Sequence, residues 1–62
     1  MPSMKADKKN KLVSKVEFDI GAVLDELALR IESGDIGYSL KLIERIEKLE
    51  KVKSKIESIP SE

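Results

Sequence analysis

The stretch Ser33-Gly34-Asp35 decides the fold, because it can end one helix and begin another. Gly34 can adopt the left-handed backbone conformation that closes a helix, and Asp35 can cap the N-terminus of the next one. Ser39 is a second candidate cap if residues 36–38 form a short loop. We therefore predict two helices joined by a turn.

The segment before this turn has the periodicity of an amphipathic helix. At 100° per residue, six apolar residues fall within about 60° of Ile20. Ser14 and Glu17 fit a capping box, in which each side chain satisfies a backbone N–H of the other. Gly21 is the one weak position, at roughly 1 kcal/mol relative to alanine. This pattern predicts a helix over about residues 14–33. The six apolar residues are Val13, Val16, Val23, Leu24, Leu27 and Ile31.

The segment after the turn carries a second apolar stripe, in which leucine or isoleucine recurs every seven residues. Pro60 ends the helix that this stripe predicts, so we place it at about residues 39–59, with the turn at about 34–38. Two helices of matched length joined by a short turn must lie antiparallel. The stripe consists of Leu42, Leu49 and Ile56, flanked by Ile46 on one side and by Val52 and Ile59 on the other.

The predicted fold is therefore all-α, an antiparallel two-helix hairpin over residues 13–60 that follows a basic, disordered tail at residues 1–12. A chain of 62 residues buries only about 60% of the surface that its unfolded form exposes. It contains no cysteine or histidine, so disulfides and the commonest zinc ligands cannot stabilise it. We expect it to assemble with further chains into a helical bundle or coiled coil.

Apolar residues away from the main stripes support this expectation. Phe18, Ala22 and Leu29 lie near 180° from Ile20 on the first helix, and a second row on the other helix has i, i+4, i+7 spacing. We predict that these residues and the stripes contact a protein partner, which is either a second copy or a larger helical subunit. The predicted partner-binding residues are Phe18, Ala22, Leu24, Leu27, Leu29, Ile31, Ile36, Leu40, Leu42, Ile43, Ile46, Leu49, Val52 and Ile56.

The residues that carry most enzyme chemistry are missing. Without histidine or cysteine there is no nucleophile–histidine pair and no thiol. Carboxylate pairs such as Asp25 with Glu26 are typical of solvated helix faces, and no glycine-rich phosphate loop is present. Tyr38 and Phe18 are single aromatic residues of their kinds, too few to stack bases. We predict no catalytic, cofactor or metal site, and hence a protein that is not an enzyme.

The 12 basic and 12 acidic residues cancel overall but not locally. Residues 1–15 carry a net charge of +4 and residues 16–38 a net charge of −5. This distribution predicts contact with nucleic acid only indirectly or through the basic tail. No apolar run is long enough for a signal peptide or a membrane span, which predicts a cytoplasmic protein with no membrane partner. The bias towards Lys, Glu and Ile is also typical of thermophiles.

Residues 22–36, with the sequence AVLDELALRIESGDI, resemble the small subunit of exodeoxyribonuclease VII. The resemblance lies in the apolar positions around Leu24 and Leu27 and in a Leu-Glu-Ser-Gly-Asp-Leu-type turn, here residues 31–36. It implies a non-catalytic helical hairpin that binds the coiled-coil part of a large subunit degrading single-stranded DNA. The chain departs from the family at residues 37–40, near Lys48, where lysine replaces the family's glycine in the middle of the second helix, and in lacking a later cysteine.

Two other interpretations fit parts of the sequence. The hairpin can form a free-standing homodimeric four-helix bundle that acts as an adaptor or small regulator. Alternatively, Val16, Phe18 and Ile20 alternate with polar residues as in a half-buried strand, which with helices at 22–32 and 39–50 would make a ribbon-helix-helix DNA-binding repressor. That strand would place Glu17 and Asp19 in the major groove, where basic or amide side chains are expected.

Overall fold

Two α-helices make up the hairpin. The computed structural model describes residues 3–61, in which α1 spans Ala6–Glu32 and α2 spans Ile36–Glu57. The helices pack against each other in an antiparallel pair with extents of 47 × 17 × 8 Å. The prediction of two packed helices is confirmed. The strand over residues 16–20 is wrong, because these residues lie inside α1.

The turn between the helices closes α1 with backbone hydrogen bonds. Gly34 has a φ of 80°, the left-handed conformation expected for it. Its N–H donates to the carbonyl oxygen of Ile31 at 3.1 Å, and the N–H of Asp35 donates to that of Arg30 at 2.9 Å. These two bonds form a Schellman motif, which satisfies carbonyl groups that the end of a helix leaves without partners.

Asp35 begins α2 and decides between the two candidate caps. Its Oδ1 accepts a hydrogen bond from the N–H of Tyr38 at 3.1 Å, as an N-cap does. Ser39 lies inside the helix instead, where its hydroxyl donates to the carbonyl oxygen of Asp35 at 2.7 Å. The connection is therefore confined to residues 33–35 and is shorter than predicted, because residues 36–38 already belong to α2.

The first helix starts at Ala6, well before the predicted start at residue 14. The predicted capping box is wrong, because Ser14 lies in the helix interior. Residues 6–12 are helical because they can pack beside the end of α2: Lys9 Nζ donates to the carbonyl oxygen of Ile59 at 2.7 Å. The Lys9 ammonium thereby lies near the C-terminus of α2, where a positive charge complements the helix dipole.

The predicted disordered tail is thereby corrected for residues 6–12. Just before α1, the N–H of Met4 donates to the carbonyl oxygen of Pro60 at 3.0 Å, which ties the start of the described chain to its end. Met1, Pro2 and Glu62 lie outside the described residues, and so does the part of the tail prediction that concerns residues 1 and 2.

The contact between the helices follows a 3.5-residue repeat. Its positions, called the seam below, alternate in steps of three and four residues, as in an antiparallel coiled coil. Only four of them are buried, namely Ile20, Val23, Ser39 and Leu42, and no described side chain is less than 2% exposed. The seam consists of Lys9, Val13, Val16, Ile20, Val23 and Leu27 on α1 and Ser39, Leu42, Ile46, Leu49, Lys53 and Ile56 on α2.

Three residues predicted to lie in the stripes are exposed beside the seam instead. Leu24, Ile31 and Val52 are 48%, 54% and 45% exposed. A repeat of 3.5 residues drifts from the 3.6-residue period of an ideal helix, so the seam position after Leu27 falls at Arg30.

Neither helix, within the described residues, combines the length and apolarity that crossing a membrane requires.

Candidate partner interface

The structure divides the predicted partner-binding residues into groups with different surroundings. The first group lies in the seam, where α1 and α2 cover each other, so the apolar character of these residues is explained within the chain. Its members are Leu27, Leu42, Ile46, Leu49 and Ile56. The remaining predicted residues are all exposed and lie outside the seam.

Five exposed aliphatic residues lie together near the turn. In each seven-residue repeat the seam takes two positions, and four of these residues directly follow the second one. The fifth, Leu40, lies four residues after Ile36 and so on the same side of α2. In an antiparallel pair these positions lie on the same side of both helices. Their side chains are 38% to 63% exposed. We call this surface the turn-end patch; it consists of Leu24, Ile31, Ile36, Leu40 and Ile43.

The side of the hairpin that carries the turn-end patch is acidic towards the open end. Over the two helices, the positions on this side hold five acidic residues and no lysine or arginine. The acids are exposed, so solvent screens them and they repel one another only weakly. This side, called the acidic side below, carries Asp7 and Glu17 on α1 and Glu47, Glu50 and Glu57 on α2.

The opposite side is basic. Over the same two helices it holds six bases and two acids. The two acids, Asp19 and Glu26, line one shallow cleft together with Arg45, which shows that these positions of α1 and α2 lie on the same side. This basic side carries Lys8 and Lys15 on α1 and Lys41, Arg45, Lys48 and Lys55 on α2.

A third group of predicted residues lies on the outer surface of α1. Phe18 is 76% exposed and lines a shallow cleft with Gly21, Ala22 and Asp25. Leu29 is likewise exposed. Phe18 and Leu29 are exposed as predicted, whereas Ala22 also lines a cleft with Arg45 and Leu49 of α2. The three residues are spread along the helix.

Sequence reasoning missed three features of this surface. Lys9 and Lys53 are seam residues, although their charge suggested solvent. The guanidinium of Arg30 lies over the ring of Tyr38, 4.6 Å from its centroid, and 3.8 Å from Glu26. The division into an acidic and a basic side was also missed, because it requires the handedness with which the two helices pair. A 3.5-residue count on each helix could have placed Lys9 and Lys53 in the seam.

The described residues include no cluster of three or more acidic, histidine or cysteine side chains placed to hold a metal ion. Comparisons of the chain with family models, with curated proteins and with solved structures found no match. The resemblance of residues 22–36 to the exodeoxyribonuclease VII small subunit therefore stays a prediction.

Proposed function

We propose that this chain is a non-catalytic helical subunit that binds an α-helix of a larger protein through its turn-end patch. The observation that carries the proposal is the placement of five large aliphatic side chains on one side of a hairpin whose own core is very small. Leu40 and Ile36, at 57% and 63% exposed, are its most open members. A contiguous apolar surface of this kind marks an interaction site more often than a scattered set does.

The surface area of the chain supports the proposal. It exposes 4935 Å², whereas a folded monomer of 7.0 kDa is expected to expose about 4,000 Å². The difference of roughly 900 Å² is close to the area of about 800 Å² that each partner buries in a standard interface. Its radius of gyration of 14.6 Å likewise exceeds the value of about 10.6 Å expected for a compact domain of this length.

Covering the turn-end patch would supply a useful free energy. A fully buried leucine or isoleucine side chain contributes about 1.5–3 kcal/mol, and these five are already roughly half buried. Completing their burial would therefore contribute on the order of 5 kcal/mol before the cost of association. That amount is comparable to the total stability of many small domains, so a partner could decide how much of the chain is folded.

The sequence resemblance favours a larger helical partner over a second copy. If the chain is related to the small subunit of exodeoxyribonuclease VII, its partner is the coiled-coil region of a nuclease large subunit, and no catalytic group belongs to this chain. The absence of histidine and cysteine from the sequence agrees with a role in assembly.

Affinity capture with matched variants tests the proposal. Leu40→Asp adds a charge to the turn-end patch, while Val52→Asp adds the same charge to an exposed apolar position beyond it. We expect Leu40→Asp to lose the helical partner that the parent captures, and Val52→Asp to keep it, with both variants as helical as the parent by circular dichroism. If Leu40→Asp captured every protein that the parent does, the patch would not be the binding surface.

A further inference from the structure

Along the acidic side, an apolar stretch at the turn end is followed by an acidic stretch towards the open end. A molecule that covers this side must match both stretches. On α2 the apolar residues of the patch end at Ile43, and Glu47, Glu50 and Glu57 follow on the same side. On α1 the patch ends at Leu24, and Glu17 follows towards the open end. From Ile36 to Glu57 the side spans about 31 Å, of which the apolar part covers roughly the first third.

A second copy facing this side does not match it along its whole length. With two copies in register, the patches would meet, but α2 of each copy would lie against α1 of the other, so Glu50 and Glu57 would face the stretch of α1 that carries Glu17 and Asp7. Like charges directly opposed across an interface oppose association. Only a staggered contact restricted to the two turn ends avoids this repulsion, and it leaves the acidic stretch of both copies uncovered.

A second copy that offered its basic side does not match either. The charges would then be complementary, but the turn-end patch would lie on Glu26, Lys41 and Arg45 of the neighbour. Burying those charged groups against aliphatic side chains without partners is unfavourable. Such a head-to-tail contact also leaves one acidic and one basic side open at the ends of every assembly that does not close into a ring.

We infer that the occupant of the acidic side is an α-helix of another protein, in which an apolar row is continued on the same face by a row of lysine or arginine. The apolar row covers the turn-end patch, and the basic row passes the four glutamates beyond it. This inference rests on the proposed function and adds the chemical character of the partner. The same acids exclude anionic lipid headgroups and nucleic-acid phosphates from this side, because both would be repelled.

Two synthetic helical peptides of 21 residues test the inference against the full chain. Both carry the same leucine row in the half that covers the patch. In the other half, one carries lysine and its match carries glutamate at the positions of the same face; the two residues have similar helix propensity. We expect the lysine peptide to bind about tenfold more tightly by isothermal titration calorimetry, as three or four exposed ion pairs would give. Added salt should reduce this preference.

Charge-reversal variants of the chain test which acids cause the preference for the lysine peptide. Glu47→Lys with Glu50→Lys, both on the acidic side, should abolish or reverse the preference for the lysine peptide. The matched control is Asp25→Lys with Glu44→Lys, which makes the same change of net charge at exposed helical positions on the outer edges of the hairpin. The control should keep the preference, because its residues do not face the bound helix.

The possible failures are distinguishable. If neither peptide binds, the turn-end patch is not a helix-binding surface, and the proposed function fails with the inference. If both peptides bind equally and Leu40→Asp abolishes both interactions, the proposed function stands and the inference is wrong. If the chain alone forms a dimer that Leu40→Asp disrupts and Glu47→Lys with Glu50→Lys leaves intact, a staggered second copy occupies the patch and the inference is overturned.

Discussion

The turn half of the hairpin, residues 20–49, and its open half, residues 3–19 and 50–61, are built on one continuous seam but differ in how firmly it is closed. All four buried residues, including Val23 and Leu42, lie in the turn half. In the described open half, seam residues are only half-buried, and two of them are Lys9 and Lys53. The short turn therefore brings the helices together, while the open half depends on side-chain and terminal hydrogen bonds.

The two halves also differ in their outer surfaces. The turn half, which has the better-packed seam, also carries the exposed turn-end patch, whereas most acids of the acidic side lie in or near the open half. The largest exposed apolar patch of the chain thus lies in the half whose seam is better packed. A binding surface on a stable element needs less ordering when a partner arrives, and less ordering means a smaller entropic cost.

Truncation of the seam should give the largest difference between the halves. Leu42→Ala removes the most buried apolar side chain, at 3% exposed, and should destabilise the hairpin by about 2–5 kcal/mol. Ile56→Ala, in the half-buried open half, should cost less than half as much, because solvent already reaches that site. Urea unfolding followed by circular dichroism measures both. Equal losses would mean that the two halves are equally well packed.

The next effect concerns the turn itself. Gly34 has a φ of 80°, a conformation that costs an L-residue roughly 1–2 kcal/mol, so Gly34→Ala should be destabilising by about that amount. Gly37→Ala is the matched control, since Gly37 lies in the first turn of α2 and an added methyl group would meet no described atom within 4 Å beyond its chain neighbours and the backbone of α2. It should stabilise by about 0.5–1 kcal/mol. The same unfolding experiment separates the two signs, and a stabilising Gly34→Ala would contradict the left-handed turn.

These glycines show how far the sequence could predict the fold. The left-handed Gly34 and the cap at Asp35 were predictable, because each residue type satisfies a local backbone requirement. The start of α1 was not, because residues 6–12 have no apolar period and are helical beside the end of α2, where Lys9 contacts Ile59. A contact fifty residues away in sequence leaves no local signal.

The candidate interface was predictable to a similar extent. Apolar residues such as Leu40 and Ile43 could be recognised as surplus to one stripe. Their union with Leu24 and Ile31 into a single patch could not, because a count of 100° per residue placed Leu24 and Ile31 in the core. Only the 3.5-residue seam, imposed by the pairing of the two helices, turns these two side chains outward.

Replacing a lysine in the seam of the open half should stabilise the hairpin by a smaller amount. Lys53 occupies a half-buried seam position in the open half, where its charge must reach solvent around the edge of the helix pair. Lys53→Leu should therefore stabilise the hairpin by roughly 1 kcal/mol, part of the value of one buried leucine. Lys51→Leu, on the outer surface of α2, should change stability much less. A shift in the unfolding midpoint of equal size in both variants would indicate a general charge effect and not seam packing.

The smallest effect tests the boundary between the patch and the acids. Gly21 lies on the acidic side between Leu24 and Glu17, and among the described residues a methyl group added there would meet no atom within 4 Å apart from its chain neighbours and the backbone of its own helix. Gly21→Ala should thus stabilise the isolated hairpin by about 0.5–1 kcal/mol through helix propensity. Nothing in the described part of the chain explains a glycine at this position, but the close approach of a partner helix would. We expect the variant to unfold at a higher urea concentration yet to bind the lysine peptide more weakly than the parent does. Tighter or unchanged binding would place the partner helix farther from the backbone of α1, with its contacts confined to the side chains of the turn-end patch.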